Sequence, residues 1–257
     1  MCLILFAFQA HTEFRLVVAA NRDEAYARPA APAAFWQDHP HVYGGRDLEM
    51  NGTWMGLTRQ GRFAAVTNYR DGFPKGVAPR SRGELVGGFL TGTQSAQPYL
   101  QTVAARRKEY AGFGVLAGDL NALWFLSNYG NGVETITPGV HGLSNHLLDT
   151  PWPKVAAGKN ELAALLARDV PVLSEKLFEM LADRSVATPE DLPDTGVGIL
   201  REKELGPKFI AVDERYGTRA STVIIVNRDG HVNYSERSFG PRGKFLSEVT
   251  NHFHLEP

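Results

Sequence analysis

The sequence is short of cysteine and of long apolar runs. Its 257 residues include one cysteine, which excludes a disulfide framework within the chain and is typical of a reducing compartment. No apolar run is long enough to cross a bilayer, and the run 3–8 has no basic leader and is too short for a secretory signal. We therefore expect a cytoplasmic protein without an integral membrane segment.

The chain also lacks an excess of charge of either sign. Its 27 Lys and Arg stand against 28 Asp and Glu, a formal net charge of -1, so no overall field favours nucleic acid or an anionic membrane. With 43% hydrophobic residues, no internal repeat and no break in composition, residues 1–257 are predicted to form one globular domain. A small-molecule substrate or ligand is the expected partner, and nothing in the sequence indicates an oligomeric state.

Metal and nucleotide motifs are missing as well. The eight histidines match no zinc spacing, and the chain has neither a phosphate-binding P-loop nor a dinucleotide fingerprint. We expect no metal site and no cofactor of these kinds.

Strand-like stretches stand at both ends of the chain, with helix-like stretches between them. The apolar runs 3–8 and 14–20 flank a turn, and Asn131-Gly132 is typical of a tight hairpin. Ser81 and Glu84 have the spacing of a capping box, which predicts a helix over 81–90. Further strands are predicted at 53–57, 63–67, 113–117, 123–127, 133–137, 221–226 and 232–239, helices at 97–110, 153–168 and 174–182, and connections at 25–41 and 183–206. This order predicts a layered α+β domain whose termini share a sheet.

The single cysteine directly follows the first methionine. A side chain as small as that of Cys2 permits removal of Met1, which would leave Cys2 with a free α-amine. An α-amine has a pKa of roughly 7.7–8.0, so it could accept the proton of the neighbouring thiol. One residue would then supply both nucleophile and base. The alternative is that Cys2 is an ordinary small core residue of an apolar strand.

Polar residues cluster where predicted strands end, at 21–24, 68–70 and 144–146, and Arg219 precedes a late strand. Acyl transfer by a thiol requires a base, donors to the oxyanion and an orienting charge. Asn68 and Asn145 could donate to an oxyanion, Asp23 could hold an α-ammonium group, and Arg219 could bind a carboxylate or the developing charge. Taken singly, each residue is equally compatible with turn chemistry or a surface ion pair.

The segment Asn21-Arg22-Asp23-Glu24 resembles the signature of the NRDE family, the transport and Golgi organisation protein homologues. Other segments agree with that family in their order along the chain: Met1-Cys2, Gly44-Gly45-Arg46-Asp47, Gly52-Thr53-Trp54, Thr67-Asn68-Tyr69-Arg70, Ser81-Arg82-Gly83, Gly142-Leu143-Ser144-Asn145, Pro151-Trp152-Pro153-Lys154 and Tyr216-Gly217-Thr218-Arg219.

The resemblance implies the four-layer αββα sandwich of the N-terminal nucleophile hydrolases, close to the choloylglycine hydrolase branch of C–N bond amidases. It implies catalytic roles for Cys2 as nucleophile and for Arg22, Asp23, Asn68, Asn145 and Arg219. Because the spacing around Arg22 and Asp23 differs from that of the hydrolases, Asn21 and Glu24 are alternatives for their roles. Six residues are expected to contact the substrate: Asn21, Glu24, Tyr69, Arg70, Ser144 and His146.

Two function classes therefore remain open at the level of sequence. The first is a cysteine amidase or acyltransferase that attacks a small amide through Cys2. The second is a non-catalytic haem or lipid binding or trafficking protein that uses the same cleft, because eukaryotic members of the family are linked to secretory organisation, lipid homeostasis and haem handling. His141 and His146 are candidate haem ligands in that case, although both are compatible with ordinary loop positions. A scaffold without a small ligand is a weaker third interpretation.

Overall fold

The computed structural model describes residues 2–72, 78–168 and 173–256. Within these ranges the α-helices are α1 (Gly83–Thr91), α2 (Ala96–Ala105), α3 (Pro153–Leu166), α4 (Leu173–Leu181) and α5 (Ile199–Leu205). The strands are β1 (Cys2–Phe8), β2 (Phe14–Ala25), β3 (Ala30–Phe35), β4 (Val42–Asp47), β5 (Met55–Thr58), β6 (Phe63–Asn68), β7 (Phe113–Gly118), β8 (Leu123–Ser127), β9 (Val133–Ile136), β10 (Gly139–Leu143), β11 (Tyr216–Asn227), β12 (His231–Gly240) and β13 (Lys244–His254). None of these helices combines the length and the apolar character that crossing a membrane requires.

The strands form two antiparallel sheets. In the first, the six strands follow the order β10-β1-β2-β11-β12-β13, and in the second, the seven strands β3 to β9 follow one another in chain order. The first and last strands of the chain thus lie in one sheet, as the sequence predicts. The central strands β2 and β11 pair over most of their length, with bulges at Thr218/Ala220 and Val226/Asn227.

Strand β1 is buried along its whole length because both faces of its sheet are covered. Successive side chains of a strand point to opposite faces. Ile4 and Phe6 belong to the apolar cluster between the two sheets, whereas Leu3 and Leu5 belong to a separate cluster under the helices. This explains why β1 reads as a continuous apolar run rather than as an alternating one.

The helices form the two outer layers. Helices α1 and α2 cover the second sheet through a cluster that includes Val86 and Leu100. Helices α3 and α4 cover the first sheet through a cluster that includes Leu162 and Leu177. The resulting order of helix, sheet, sheet and helix layers confirms the predicted α+β fold class and its four-layer αββα sandwich.

Five helices and strands were absent from the sequence prediction, and two of them are β4 and β10. Strand β3 lies within the predicted connection 25–41, α5 lies within the predicted connection 183–206, and β13 was not predicted at all. Strand β3 has a register shift between Ala31 and Ala34, and β13 is an edge strand with a mostly exposed face, so neither shows a regular apolar alternation. The predicted helix 97–110 instead ends at Ala105 and is followed by a short 3₁₀ turn.

The predicted capping box is also replaced by other contacts. The side chain of Glu84 accepts hydrogen bonds from Arg80 and from the Tyr110 hydroxyl, so it does not reach back to the start of α1. The helix itself begins close to the predicted position, at Gly83. The helix was therefore predicted correctly, although the capping box on which that prediction was based does not form.

Gly158 gives a test of the contact between α3 and β1. A Cβ atom there would collide with the Cδ1 atom of Leu5 and lie 2.9 Å from its Cδ2 atom, and Leu5 is fully buried. We expect Gly158→Ala to lower the free energy of unfolding in urea by about 1–3 kcal/mol, since overpacking a core has that cost. Gly87→Ala is the matched control, because a Cβ atom at this helical position has its nearest neighbour 4.0 Å away. That variant should be neutral or slightly more stable, given the higher helix propensity of alanine. Equal losses for the two variants would contradict this packing.

Candidate active site

A cavity of about 500 Å³ lies between residues of both sheets and has Cys2 in its wall. Its lining combines the ends of β1 and β2 with residues of β4, β6 and β12 and with the segment before α1. Six of the residues predicted from sequence line this cavity: Cys2, Arg22, Asp23, Glu24, Asn68 and Arg219.

Cys2 is the first residue of β1 and stands opposite Arg22 of β2 in the strand register. By the alternation of β1 it lies on the same face as Ile4, toward the second sheet, and it is 7% exposed. Burial raises the pKa of the Cys2 thiol because the charged thiolate loses solvation. The predicted removal of Met1 lies outside the described residues.

Asp23 is held in place from the neighbouring strand. The Thr218 hydroxyl donates a hydrogen bond of 2.7 Å to Asp23 Oδ1. Burial raises the pKa of the Asp23 carboxyl, while the nearby Lys154 ammonium and the Thr218 hydroxyl act in the opposite direction. Lys154 is itself 5% exposed, and its Nζ donates to the Leu205 carbonyl at 2.9 Å. Burial lowers the pKa of Lys154 to about 8, with the neighbouring Asp23 carboxylate acting in the opposite direction.

Ser144 and Asn145 brace the backbone of the site rather than line its cavity. Ser144 Oγ donates to the Cys2 carbonyl at 3.1 Å. Asn145 Nδ2 donates to the Asn68 carbonyl at 3.0 Å. These bonds tie the end of β10 to the nucleophile candidate and to the end of β6, so the two residues fix the relative position of Cys2 and Asn68. The predicted oxyanion role therefore fits Asn68 better than Asn145, because Asn68 lines the cavity and Asn145 does not.

Asn21 faces away from the cavity. Its Nδ2 atom donates to the carbonyls of Leu181 at 2.9 Å and Lys208 at 2.8 Å, and its Oδ1 atom accepts from Ser221 at 2.6 Å. The alternation of β2 explains this position, since the adjacent Arg22 lines the cavity. The predicted substrate contact of Asn21 is not supported; the residue ties β2 to the helical layer.

Tyr69, Arg70 and His146 also lie outside the cavity lining. Tyr69 stacks on Tyr129 with ring centroids 3.9 Å apart. Arg70 forms a buried ion pair with Glu202 at 2.6 Å. These contacts are structural, and the predicted substrate-binding roles of the three residues are not supported by their positions. Of the six predicted substrate contacts, Glu24 alone lines the cavity.

The two histidines considered as haem ligands are engaged elsewhere. His141 Nδ1 lies 2.7 Å from Asp149 Oδ2, and its Nε2 lies 2.9 Å from the Thr137 carbonyl. His146 Nδ1 lies 2.8 Å from the Thr150 hydroxyl. Neither histidine lines the cavity, and the part of the chain that the structure describes contains no group of three His, Cys, Asp or Glu side chains arranged to hold a metal ion. The residues present therefore do not fit a haem held by these histidines.

Several charged residues near the site were given no role from the sequence, and three of them are closest to the proposed chemistry. Arg82 and Glu236 line the cavity, and Lys154 lies behind Asp23. Arg82 and Lys154 lie within segments that support the family resemblance, so the resemblance could have identified them as site residues. For Glu236, the alternation of β12 was the available signal, because it places this residue on the same face as the buried Tyr234.

Comparison with known proteins places the sequence in a family. The model of the family described as "Transport and Golgi organisation 2" matches residues 1–241. The Bos taurus transport and Golgi organization protein 2 homolog is 38% identical over 271 residues, covering 98% of each chain. The Homo sapiens homolog is 37% identical, covering 93% of each chain, and the Drosophila melanogaster protein is 27% identical, covering 100% of this chain and 98% of its own.

Solved structures show weaker likeness. The N-acylethanolamine-hydrolyzing acid amidase ortholog of Caenorhabditis elegans has a TM-score of 0.49 at 9% identity and covers 87% of this chain and 92% of its own. The C2A mutant of the conjugated bile acid hydrolase of Clostridium perfringens has a TM-score of 0.47 at 8% identity and covers 99% of this chain and 92% of its own.

The buried pair Arg70–Glu202 gives a test of a structural role for Arg70. Glu202 is 2% exposed, so Arg70→Leu would leave its carboxylate buried without a counter-charge. We expect a loss of about 3–5 kcal/mol in the free energy of unfolding, measured in urea. The double variant Arg70→Leu with Glu202→Leu should recover part of that loss. Tyr69→Phe, on the adjacent residue, is the control with an expected change below about 0.5 kcal/mol. A stable Arg70→Leu protein would argue against the structural role.

The cluster of His141, Asp149 and Lys159 predicts a pH dependence of stability. Asp149 bridges the other two at 2.7 Å each. The hydrogen bond to Asp149 raises the pKa of His141. The stability that His141 contributes is thus complete below its unfolded pKa of about 6.5 and is lost as pH rises through the higher folded value. The pKa of Asp149 is lowered to about 2, chiefly by its bonds to His141 and Lys159 acting against burial, so its contribution is lost only as pH falls from about 4 toward that value.

We therefore expect the difference in unfolding free energy between the native protein and His141→Asn to be largest between about pH 4.5 and 6 and to shrink by about pH 8.5. Urea titrations at these pH values measure it. A difference that stays constant, or grows with pH, would contradict the arrangement.

Proposed function

Because the chain belongs to the transport and Golgi organisation 2 family, whose members' names describe trafficking rather than a reaction, we propose a function from the cavity itself: hydrolysis of a C–N bond in a small amide by the thiol of Cys2. The observation that carries the proposal is the position of the chain's single cysteine in the wall of a cavity that also contains Asp23, Asn68 and two arginines from the predicted set. A cysteine that served only as packing would have no need of these neighbours.

The proposed reaction begins after removal of Met1. The thiol proton moves to the α-amine of Cys2, and the sulfur attacks the amide carbonyl carbon. The C–N bond then breaks, the leaving amine takes the proton from the α-ammonium group, and a thioester to Cys2 remains. Water attacks the thioester carbonyl and gives a proton to the α-amine. The C–S bond then breaks, the carboxylic acid leaves, and the sulfur takes the proton back from the α-ammonium group to restore the thiol.

Asp23 and Asn68 have separate roles in this reaction. Asp23 holds the α-ammonium group in the charged stages, for which its position beside Cys2 and its bond from Thr218 are suited. Asn68 donates to the oxyanion of the tetrahedral intermediate, a contribution of about 2.7–4 kcal/mol for one donor. Ser144 and Asn145 position Cys2 and Asn68 through bonds to their backbone carbonyls.

Burial of the Cys2 thiol explains why the proposed reaction needs the α-amine. Burial raises the pKa of the thiol, so little thiolate exists at neutral pH unless a base removes the proton within the site. An amine on the same residue meets this need over the shortest possible path. A thiol kept protonated would be a poor nucleophile, so retention of Met1 would abolish the proposed activity.

A second candidate function is binding of an apolar ligand without catalysis. The apolar side chains that line the same cavity include Met50, Phe239 and Leu246, and Met50 and Leu246 are 51% and 59% exposed. These residues suit an alkyl or aromatic group as well as they suit a substrate's acyl group. Binding that is unchanged in Cys2→Ala, with no turnover by the native protein, would favour this candidate.

Processing and reactivity of Cys2 test the amidase proposal. Intact mass of protein purified without an N-terminal tag should lack the mass of Met1, and an activity-based electrophilic acylating probe should label Cys2 of the native protein. Asn68→Ala should slow the labelling by about 10²–10³-fold, as expected for loss of one oxyanion donor. Gln60→Ala, an exposed position outside the cavity lining, is the control and should label at the native rate. A retained Met1 together with an inert thiol would refute the proposal.

A further inference from the structure

Six arginines line the cavity that contains Cys2. Three of them already have carboxylate partners, and these pairs are Arg28 with Asp47 at 2.7 Å, Arg46 with Asp38 at 2.8 Å, and Arg80 with Glu84. Their charges are largely neutralised within the protein. These three arginines therefore give little preference for an anionic ligand.

The other three, Arg22, Arg82 and Arg219, form no ion pair with any carboxylate of residues 2–72, 78–168 and 173–256. Arg22 is 9% exposed. Arg82 donates to the Gly112 carbonyl at 3.0 Å, and Nη1 of Arg219 donates to backbone carbonyls of the β2–β3 connection. Burial lowers the pKa of both Arg82 and Arg219, although neither group can lose its proton near neutral pH.

Hydrogen bonds to neutral carbonyls orient these guanidinium groups without cancelling their charge. Each guanidinium has five N–H donors, so bonds from a single nitrogen leave most of the donor capacity of Arg82 and Arg219 for another group. Withdrawing a cation from water without a counter-charge is unfavourable, most of all for the buried Arg22. Three such cations around one cavity therefore favour an anion within it.

The acidic residues of the same wall are bonded to groups other than the three arginines. Glu236 is 3% exposed, and burial raises the pKa of its carboxyl, which accepts hydrogen bonds from the Ala33 N–H and the Thr222 hydroxyl. Burial also raises the pKa of Asp23, which by the alternation of β2 lies on the helical side of its sheet. Glu24 is half-buried in this wall, and its Oε1 accepts from the Ala25 N–H. Within the described residues none of these carboxylates forms an ion pair with Arg22, Arg82 or Arg219, so the donors of the three guanidinium groups stay open to an anion of the ligand.

We propose that Arg22, Arg82 and Arg219 bind an anionic group of the ligand, a carboxylate or a phosphate, and so select amides that carry one. This rests on the proposed function, since it names the substrate class of the same site. Guanidinium groups bind both kinds of anion through paired, charge-assisted hydrogen bonds. The position of Cys2 in the same cavity places the amide to be cleaved and the anion within one small molecule.

Three phenylacetyl amides that differ only in their head group test the selection. Phenylacetylglycine carries a carboxylate, phenylacetyl-O-phosphoethanolamine carries a phosphate, and phenylacetylethanolamine is neutral. Binding is measured by calorimetry on the Cys2→Ala protein, so that no turnover disturbs the titration. We expect at least one anionic probe to bind about 10-fold or more tighter than the neutral probe, and the tighter of the two identifies the anion.

Substitution of the arginines locates the effect. Arg82→Gln and Arg219→Gln should each weaken the anionic probe by about 10-fold or more and leave the neutral probe within about twofold. Arg82→Lys should retain part of the preference, because it keeps the charge but not the planar donor pair. Arg46→Gln is the matched control, since Arg46 lines the same cavity but is already paired with Asp38. It should keep the full preference.

The outcomes separate this proposal from the amidase proposal. Equal affinity for all three probes, or an equal effect of Arg46→Gln and Arg82→Gln, would overturn the anion site even if the native protein hydrolyses amides. A clear anionic preference without hydrolysis by the native protein would support the anion site and count against the amidase. Should an arginine variant fail to fold, as judged by its thermal unfolding, the comparison of the three probes on the Cys2→Ala protein decides the matter.

Discussion

The antiparallel pairing of β1 with β2 is the constraint on which the rest of the site depends. Both strands are covered on both faces, so their alternation separates two sets of side chains with different tasks. Even-numbered Cys2 and Arg22 point toward the second sheet and the cavity, whereas odd-numbered Asn21 points toward the helices and binds backbone there. A shift of one residue in this register would exchange the two sets and remove the thiol from the cavity.

Arginines in this region are of two kinds, those in ion pairs and those without a carboxylate partner among the described residues. The Arg70–Glu202 pair is closed and buried, and Glu202 also accepts bonds from the backbone N–H and hydroxyl of Thr195. The wall around Cys2 is different, because several of its cations bind carbonyl groups or no described carboxylate. A structural pair stabilises the fold only when both partners remain, whereas cations without partners attract whatever anion enters.

Much of the fold was predictable because its signals are local. The hairpin of β1 and β2, the strands 113–118 and 123–127, and helices α3 and α4 follow from apolar runs, turn residues and helical periodicity within short windows. Strand β13 could not be found this way, because an edge strand with exposed side chains has no alternation to detect. Helix α5 has seven residues, too few to establish a period in a segment rich in proline and glycine.

The site was predictable in part, because some of its contacts join residues that are far apart in the sequence. Cys2, Arg22, Asp23, Glu24, Asn68 and Arg219 were expected from strand ends and from the family resemblance, and all line one cavity. Sequence could not tell that Asn145 binds a backbone carbonyl or that Arg70 has Glu202 as its partner, which is 132 positions away along the chain. Such long-range pairing requires the packed structure.

The single thiol in the cavity wall also offers one attachment point for a spectroscopic tag that reports on the cavity. Because the 257 residues contain no other cysteine, a fluorinated or environment-sensitive thiol tag attached to native protein would sit at one known place, between the two sheets. Its spectrum would register entry of a compound into the cavity, displacement of water, or a change in sheet separation, free of background from other positions. Screening of compound collections by such a signal requires no knowledge of the reaction.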